Sequence, residues 1–125
     1  MKRRKRKTLE MRFYEDILSQ RPDFVHALES LGNAYTRGGF YKEGLEVDKR
    51  LLLLKPEDPI VYYNLACSLS LLGDVDKAFK ALKRAIVFGY DDYDYILKDS
   101  DLENLRNHHS FKGIFAKMKT AKKSK

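Results

Sequence analysis

The chain repeats itself at a spacing of 34 residues. A shift of 34 places Pro22 on Pro56, Leu31 on Leu65, Gly39 on Gly73 and Arg50 on Arg84. Five further pairs keep side-chain size without identity: Leu28 with Tyr62, Gly32 with Ala66, Gly44 with Ala78, Leu45 with Phe79, and Leu54 with Phe88. Self-similarity at such a period indicates stacked copies of one supersecondary unit, and 125 residues leave room for only a few copies in one domain.

Each copy predicts two helices joined by a tight turn. Apolar and small side chains recur at spacings of three and four, first at Leu28, Leu31, Gly32 and Tyr35, then at Tyr62, Leu65, Ala66 and Leu69. The predicted N-caps are Asp23, Asp58 and Asp74, and Pro59 suits the first helical position. Gly39 and Gly73 supply the left-handed backbone that ends a helix. Gly32 and Gly44 are small enough to let their two helices approach closely.

These residues resemble the tetratricopeptide repeat (TPR) family. The resemblance is carried by Leu31-Gly32-x-x-Tyr35, Gly44 and Pro56, then by Leu65-Ala66-x-x-Leu69, Ala78 and Ala85, and it covers roughly residues 12–98. It departs from the family at Asp48 and Leu82, where a large aromatic is usual. It implies an all-α, right-handed α-solenoid of antiparallel helix pairs with about two full units.

The ends of the array are expected to be atypical. Leu9, Phe13, Tyr14, Ile17 and Leu18 predict a leading half-repeat. A degenerate third unit begins near Tyr93 and breaks down at Asp99, where a core leucine belongs. The helical spacing of Phe111, Ile114, Phe115 and Met118 then predicts a C-terminal capping helix.

Charge separates the ends of the chain from its body. The net charge is +7, and subtracting the six cations of residues 2–7 and the five lysines of residues 117–125 leaves −4 for residues 8–116. We therefore expect a basic disordered tail at 1–7, a TPR domain at 8–116 and a basic C-terminal tail at 117–125.

The resemblance also implies a binding surface, because the first helix of each TPR unit lines the concave groove. The groove residues expected on this basis are His26, Glu29, Asn33, Arg37, Tyr63, Asn64, Cys67 and Lys98. An asparagine amide can pair with an extended backbone, and a tyrosine offers a flat apolar face with a polar tip. The predicted function is a non-catalytic adaptor or scaffold whose groove holds a peptide or helix of a protein partner. One branch of the TPR family binds the C-terminal carboxylate of chaperones through basic side chains. This chain has the carboxylates of Glu29 and Asp94 at two of those positions, which argues against that ligand.

The sequence gives little support to catalysis, metal binding or base stacking. Cys67 has no sequence reason to lie near a histidine, and phosphate-loop, dinucleotide and Gly-x-Ser-x-Gly signatures do not occur. His108 and His109 are adjacent, so we expect their rings to point apart without forming a metal site. The tyrosines Tyr90, Tyr93 and Tyr95 alternate with aspartates, which favours packing over base stacking. We expect no enzyme activity, no cofactor and no metal.

The alternative function rests on the tails. Lys2, Arg3, Arg4, Lys5, Arg6 and Lys7 form a run that could attach an accessory factor to a ribosome, another nucleic acid or an anionic surface. The sequence lacks a secretory apolar region and a membrane span, and a lone cysteine suits a reducing compartment, so we expect a cytoplasmic protein, or a nuclear one in a eukaryote. The partner's identity and the oligomeric state stay open, self-association through an exposed end included.

Overall fold

The computed structural model describes residues 5–113 and residue 116. Regular structure within these residues is helical throughout, which confirms the all-α prediction. The α-helices are α1 (Leu9–Gln20), α2 (Val25–Arg37), α3 (Tyr41–Leu54), α4 (Pro59–Leu71), α5 (Val75–Val87), α6 (Tyr93–Lys98) and α7 (Glu103–Arg106), with a 3₁₀ turn at Ser100–Leu102. None of the described helices has the length and apolar character that crossing a membrane requires.

The chain divides into two compact units, Met1–Pro56 and Glu57–Lys125. In the first unit, α2 packs against both α1 and α3. Its core contains Leu28, Leu31 and Tyr35, as the sequence predicts, together with Met11, Val47 and Leu51. Burying one such aliphatic side chain stabilises the fold by roughly 1.5–3 kcal/mol, so this stripe is what holds the three helices together.

Glycines set the close approach of α2 and α3. A Cβ atom at Gly32 would lie 3.3 Å from Cγ1 of Val47, and one at Gly44 would lie 3.4 Å from Oγ1 of Thr36. An added methyl group would push Val47 at Gly32 and would just touch Thr36 at Gly44, in an interior packed with few voids. The predicted role of these two small residues in packing is confirmed.

The second unit is built on the pair α4 and α5, the most extensively packed pair of described helices. Small and large side chains alternate in its core, which includes Val61, Ala66, Leu69, Ala78, Phe79, Leu82 and Ala85. The C-terminal segment, defined here as residues 93–106, covers this pair through the fully buried side chains of Ile96, Leu102 and Leu105. Its short helices and 3₁₀ turn agree with the predicted breakdown of the third unit near Asp99. Of the predicted capping helix, Phe111 is described, while Ile114, Phe115 and Met118 lie outside the described residues.

Left-handed glycines end three of the helices. Gly39 has φ +82° and Gly73 has φ +84°, as the sequence predicts, and Gly89 after α5 has φ +116°. L-residues with a side chain avoid this region, so each glycine permits a tight turn before the following cap or loop.

The predicted caps are confirmed at two positions and wrong at one. Asp58 accepts from the amides of Ile60 at 2.8 Å and Val61 at 3.3 Å, and Asp74 accepts from an amide of α5. Asp23 does not cap α2, because the N-cap position falls on Phe24, which makes no side-chain cap. Phe24 aligns with Asp58 across the repeat, so Asp23 lies one residue too early for its carboxylate to reach the first-turn amides.

Candidate functional site

Four of the predicted groove residues share one face of α2. Three of them, His26, Asn33 and Arg37, are exposed, and Glu29 is partly exposed. Their spacings of three and four residues place all four in one row along the helix. We call these four residues the α2 polar face. Arg37 donates to Glu10 at 2.7 Å in a pair that is mostly solvated, and Glu29 lies 3.8 Å from the ammonium group of Lys55. Such exposed pairs are worth little and can exchange for contacts with a partner.

The matching face of α4 is largely covered within its own unit. Tyr63 and Cys67 are each only 6% exposed. The Tyr63 hydroxyl donates to Oδ2 of Asp99 at 2.5 Å, and Sγ of Cys67 lies 3.7 Å from the same oxygen. These two predicted site residues therefore pack under the C-terminal segment, whereas Asn64 is half-buried and Lys98 is exposed at the end of α6. Sequence reasoning missed this cover because its key contact comes from Asp99, 32 residues after Cys67.

Aromatic rings complete the packing around Tyr63. The Tyr63 ring stacks on Tyr90 with centroids 4.3 Å apart, and the Tyr95 ring is 6.1 Å away. Burial and the hydrogen bond to Asp99 raise the pKa of Tyr63 well above its ordinary value. Burial likewise raises the pKa of Tyr90 to about 12. Tyr90 thus packs against protein, whereas Tyr95 is 41% exposed.

Cys67, Asp99 and Asp101 bring three potential ligand atoms within 4.8 Å of one another. Asp99 already accepts hydrogen bonds at both oxygens, from Tyr63 and from the Asp101 amide at 3.0 Å. Burial and the neighbouring charge of Asp99 raise the pKa of Asp101. The group therefore forms a set of hydrogen bonds that joins α4 to the C-terminal segment.

The two adjacent histidines do not point apart as expected. The rings of His108 and His109 stack with centroids 4.3 Å apart, and His108 also packs against Phe79. Nε2 of His108 lies 4.0 Å from Asp76, and its Nδ1 accepts from the Ser110 amide. A turn follows α7, so these residues are not bound to the 100° spacing of a helix. Among the described residues, no cluster of three potential metal ligands includes either histidine.

The basic N-terminal run makes specific contacts where it is described. Nζ of Lys5 donates to the Gly39 carbonyl at 2.6 Å and lies over the Tyr41 ring. Nζ of Lys7 lies 2.7 Å from Oε2 of Glu15. Burial alone would raise the pKa of Glu15, but hydrogen bonds from Lys7 and Tyr35 bring it below its ordinary value. Residues 5–7 are thus partly engaged with the first unit; Lys2, Arg3, Arg4 and the tail at 117–125 lie outside the described residues.

Over residues 5–113 the fold and these surfaces define packed helix pairs with an open polar face on α2. No protein-family model matches the chain. It is 37% identical over 83 residues to a protein of Arabidopsis thaliana that is named as chloroplastic. The similarity covers 64% of this chain and 25% of that protein, so the chain spans about a quarter of the length of the relative it matches.

Proposed function

We propose that the protein is a non-catalytic adaptor of the TPR type, which binds a peptide or helical segment of a partner protein through the α2 polar face. The observation that carries the proposal is the contrast between the two repeats. The α2 face keeps His26, Asn33 and Arg37 in contact with solvent, whereas Tyr63 and Cys67, which stand 34 residues after Glu29 and Asn33, are buried within their own unit. Exposed side chains in one row on a packed helix pair can contact a ligand without local unfolding of the helices.

The proposal includes the architecture that the sequence favours. The 34-residue period, the Gly39 and Gly73 turns and the packed pairs α2 with α3 and α4 with α5 support stacking as a right-handed α-solenoid of antiparallel pairs. The C-terminal segment then serves as the terminal unit, because it shields the α4 side chains that a third full repeat would otherwise cover.

The chemistry of the α2 polar face favours a peptide ligand that presents its polar backbone groups. The Asn33 amide offers both a donor and an acceptor, His26 adds an imidazole, and Glu29 with Arg37 supplies both signs of charge. A face with mixed charge discriminates by complementarity more than by raw affinity. We therefore expect a modest affinity that depends on Asn33.

The test is a pull-down from a nuclease-treated lysate with the full-length chain and three full-length variants. The first is His26→Ala/Asn33→Ala, on the α2 polar face. The second is a matched control, Gln20→Ala/His109→Ala, in which an exposed amide and an exposed imidazole are removed elsewhere. The third replaces the cations Lys2, Arg3, Arg4 and Arg6 by Gln and keeps the described contacts of Lys5 and Lys7.

The adaptor proposal predicts that a partner identified by mass spectrometry is lost with His26→Ala/Asn33→Ala and retained by the other two variants. Loss with the tail variant alone, and at high salt, supports attachment of an accessory factor to a ribosome or nucleic acid instead. Retention by all three variants contradicts both roles for these residues.

We propose the cytoplasm as the compartment, on the ground that the thiol of Cys67 is buried and that the chain has no second cysteine to pair with. Because the similar protein is named as chloroplastic, a fluorescent fusion in a plastid-bearing host is the direct test. Fluorescence confined to plastids would contradict the cytoplasmic assignment.

A further inference from the structure

The first unit contains a pocket on the side of α2 that faces away from the α2 polar face. Its volume is about 390 Å³, within the range of small-ligand pockets. Leu31 and Tyr35 from α2 line it, and each is two residues from a member of the α2 polar face, hence about 200° around the helix axis. Any ligand of this pocket is therefore distinct from the ligand of the polar face.

The pocket has an apolar floor and an acidic rim. Leu18, Leu31 and Val47 are each at most 6% exposed and form the floor. Glu15 from α1 and Glu43 and Glu46 from α3 supply three carboxylates.

One cation, Arg50, also lines the pocket, and its guanidinium already makes a hydrogen bond within the unit. Its guanidinium donates to the Pro22 carbonyl, which ties it to the loop between α1 and α2. That hydrogen bond orients the guanidinium without removing its charge, and three carboxylates against one guanidinium still leave the lining residues with an excess of negative charge.

The chain itself shows what this rim can hold. The ammonium group of Lys7 binds Glu15 at 2.7 Å and lies 5.9 Å from the centre of the Tyr35 ring, both of which line the pocket. A carboxylate beside an aromatic face is a favourable setting for a cation. Lys7 occupies only the Glu15 side; within the described residues Glu43 forms no ion pair, and Glu46 pairs only with Lys49 on its own helix, at 3.6 Å.

We propose that this acidic pocket binds an arginine side chain presented by a basic segment of a partner protein. The aliphatic stem lies on Leu18, Leu31 and Val47, and the guanidinium reaches Glu43 and Glu46. Arginine fits better than lysine because its planar guanidinium can pair with two carboxylates at once. Lys7 competes for the same rim, so the N-terminal segment acts as a weak internal ligand that a partner displaces.

The probe is the blocked tripeptide acetyl-Ala-Arg-Ala-amide, titrated into the full-length protein and followed by amide chemical shifts in NMR. The control probe replaces arginine by citrulline, which keeps the shape and loses the charge. We expect saturable shifts at Leu31, Tyr35, Glu43 and Val47 with the arginine peptide only.

Two pairs of variants sharpen the test. Glu43→Gln/Glu46→Gln should weaken binding by about fivefold or more, whereas Glu57→Gln/Glu103→Gln, which changes net charge equally at exposed sites outside the pocket, should leave it nearly unchanged. Lys7→Gln should tighten binding more than Arg6→Gln does, because only Lys7 is bound to Glu15.

Equal shifts with the citrulline peptide would overturn the proposal, since they would show that the charge is not recognised. Equal weakening by both glutamate pairs would also overturn it, because binding would then follow net charge alone. Binding at the α2 polar face with none at the pocket would contradict the pocket while leaving the adaptor function standing.

Discussion

The carboxylate of Asp99 receives three donors from two parts of the second unit. Tyr63 and Cys67 approach Oδ2 from α4, and the Asp101 amide binds Oδ1 from the C-terminal segment. A charged acceptor makes stronger hydrogen bonds than a neutral one, and partial burial limits competition from water. This one side chain therefore couples the last helices to the α4–α5 pair.

We expect Tyr63→Phe to lower the free energy of unfolding by about 1–3 kcal/mol, because Asp99 loses a charge-assisted bond while remaining partly buried. Urea denaturation measures the change. Tyr14→Phe is the matched control, since in the described chain the Tyr14 hydroxyl makes no hydrogen bond, and it should shift stability by less than about 0.5 kcal/mol. Equal effects of the two substitutions would contradict the role of Asp99.

At the residue scale, the sequence identifies candidate site residues, but it predicts the exposure of only some of them. The resemblance to the TPR family places His26 and Asn33 on an accessible face, and both are exposed. The same reasoning assigns Tyr63 and Cys67 to a groove, although both are buried. Their burial depends on the C-terminal segment, where the 34-residue repeat breaks down, so the repeat does not predict that these two side chains are covered.

At the scale of the element, the two first helices of the repeats begin differently. Asp58→Ala should cost about 1 kcal/mol, because the carboxylate satisfies two first-turn amides of α4. Asp23→Ala should cost only a few tenths, because α2 has no side-chain cap. Thermal unfolding of the two variants, followed by circular dichroism, compares them directly. A larger loss for Asp23→Ala would mean that α2 begins earlier than Val25.

The C-terminal segment depends on one arginine. Nη1 of Arg106 donates to the carbonyls of Ile96 at 2.9 Å and Asp99 at 2.6 Å, which joins α7 back to the end of α6. Because these bonds involve a charged donor, Arg106→Ala should cost about 1.5–3 kcal/mol. Hydrogen exchange should quicken at the amides of residues 96–102 before it quickens in α5. Arg84→Ala, at an exposed site on α5, is the control and should leave that exchange pattern intact.

Element boundaries follow from local signals where those signals agree. Pro59, Gly39 and Gly73 fix the beginning of α4 and the ends of α2 and α4 within a residue or two, because each restricts backbone angles directly. The contacts of Arg106 could not be predicted, since a guanidinium can reach many carbonyls and the choice depends on how the short helices pack. The α1 stripe was only partly predictable: Leu18 is buried, whereas Leu9 and Phe13 are exposed.

At the scale of the whole molecule, the repeat predicts the number and order of the main helices because each copy encodes one helix pair. The two compact units each centre on one such pair, α2 with α3 and α4 with α5. Charge was harder to interpret. The basic run at 2–7 suggests a free tail, yet Lys5 and Lys7 bind the Gly39 carbonyl and the Glu15 carboxylate. Composition counts charges but does not indicate which of them find a partner.

Tyrosine titration links both units to the stability of the chain at high pH. Burial raises the pKa of Tyr90 to about 12 from its ordinary value of 10.0, and it raises those of Tyr35 and Tyr63 further. Between pH 10 and 12 the unfolded chain has lost these protons while the native protein retains them. The native state binds more protons there, so the free energy of unfolding must fall as the pH rises through this window. Below about pH 10 this contribution is fully present.

We therefore expect urea unfolding measured from about pH 9 to about pH 12 to show a decline that steepens above about pH 10, with each buried tyrosine adding up to about 1.4 kcal/mol per pH unit. Tyrosinate absorbance should show native tyrosines that ionise only as the protein unfolds. Tyr90→Phe should flatten the decline, because phenylalanine keeps the stacking on Tyr63 but has no proton to lose. An unchanged slope in Tyr90→Phe would assign the alkaline loss to other groups, such as lysine ion pairs, and would contradict the burial of the Tyr90 hydroxyl as its cause.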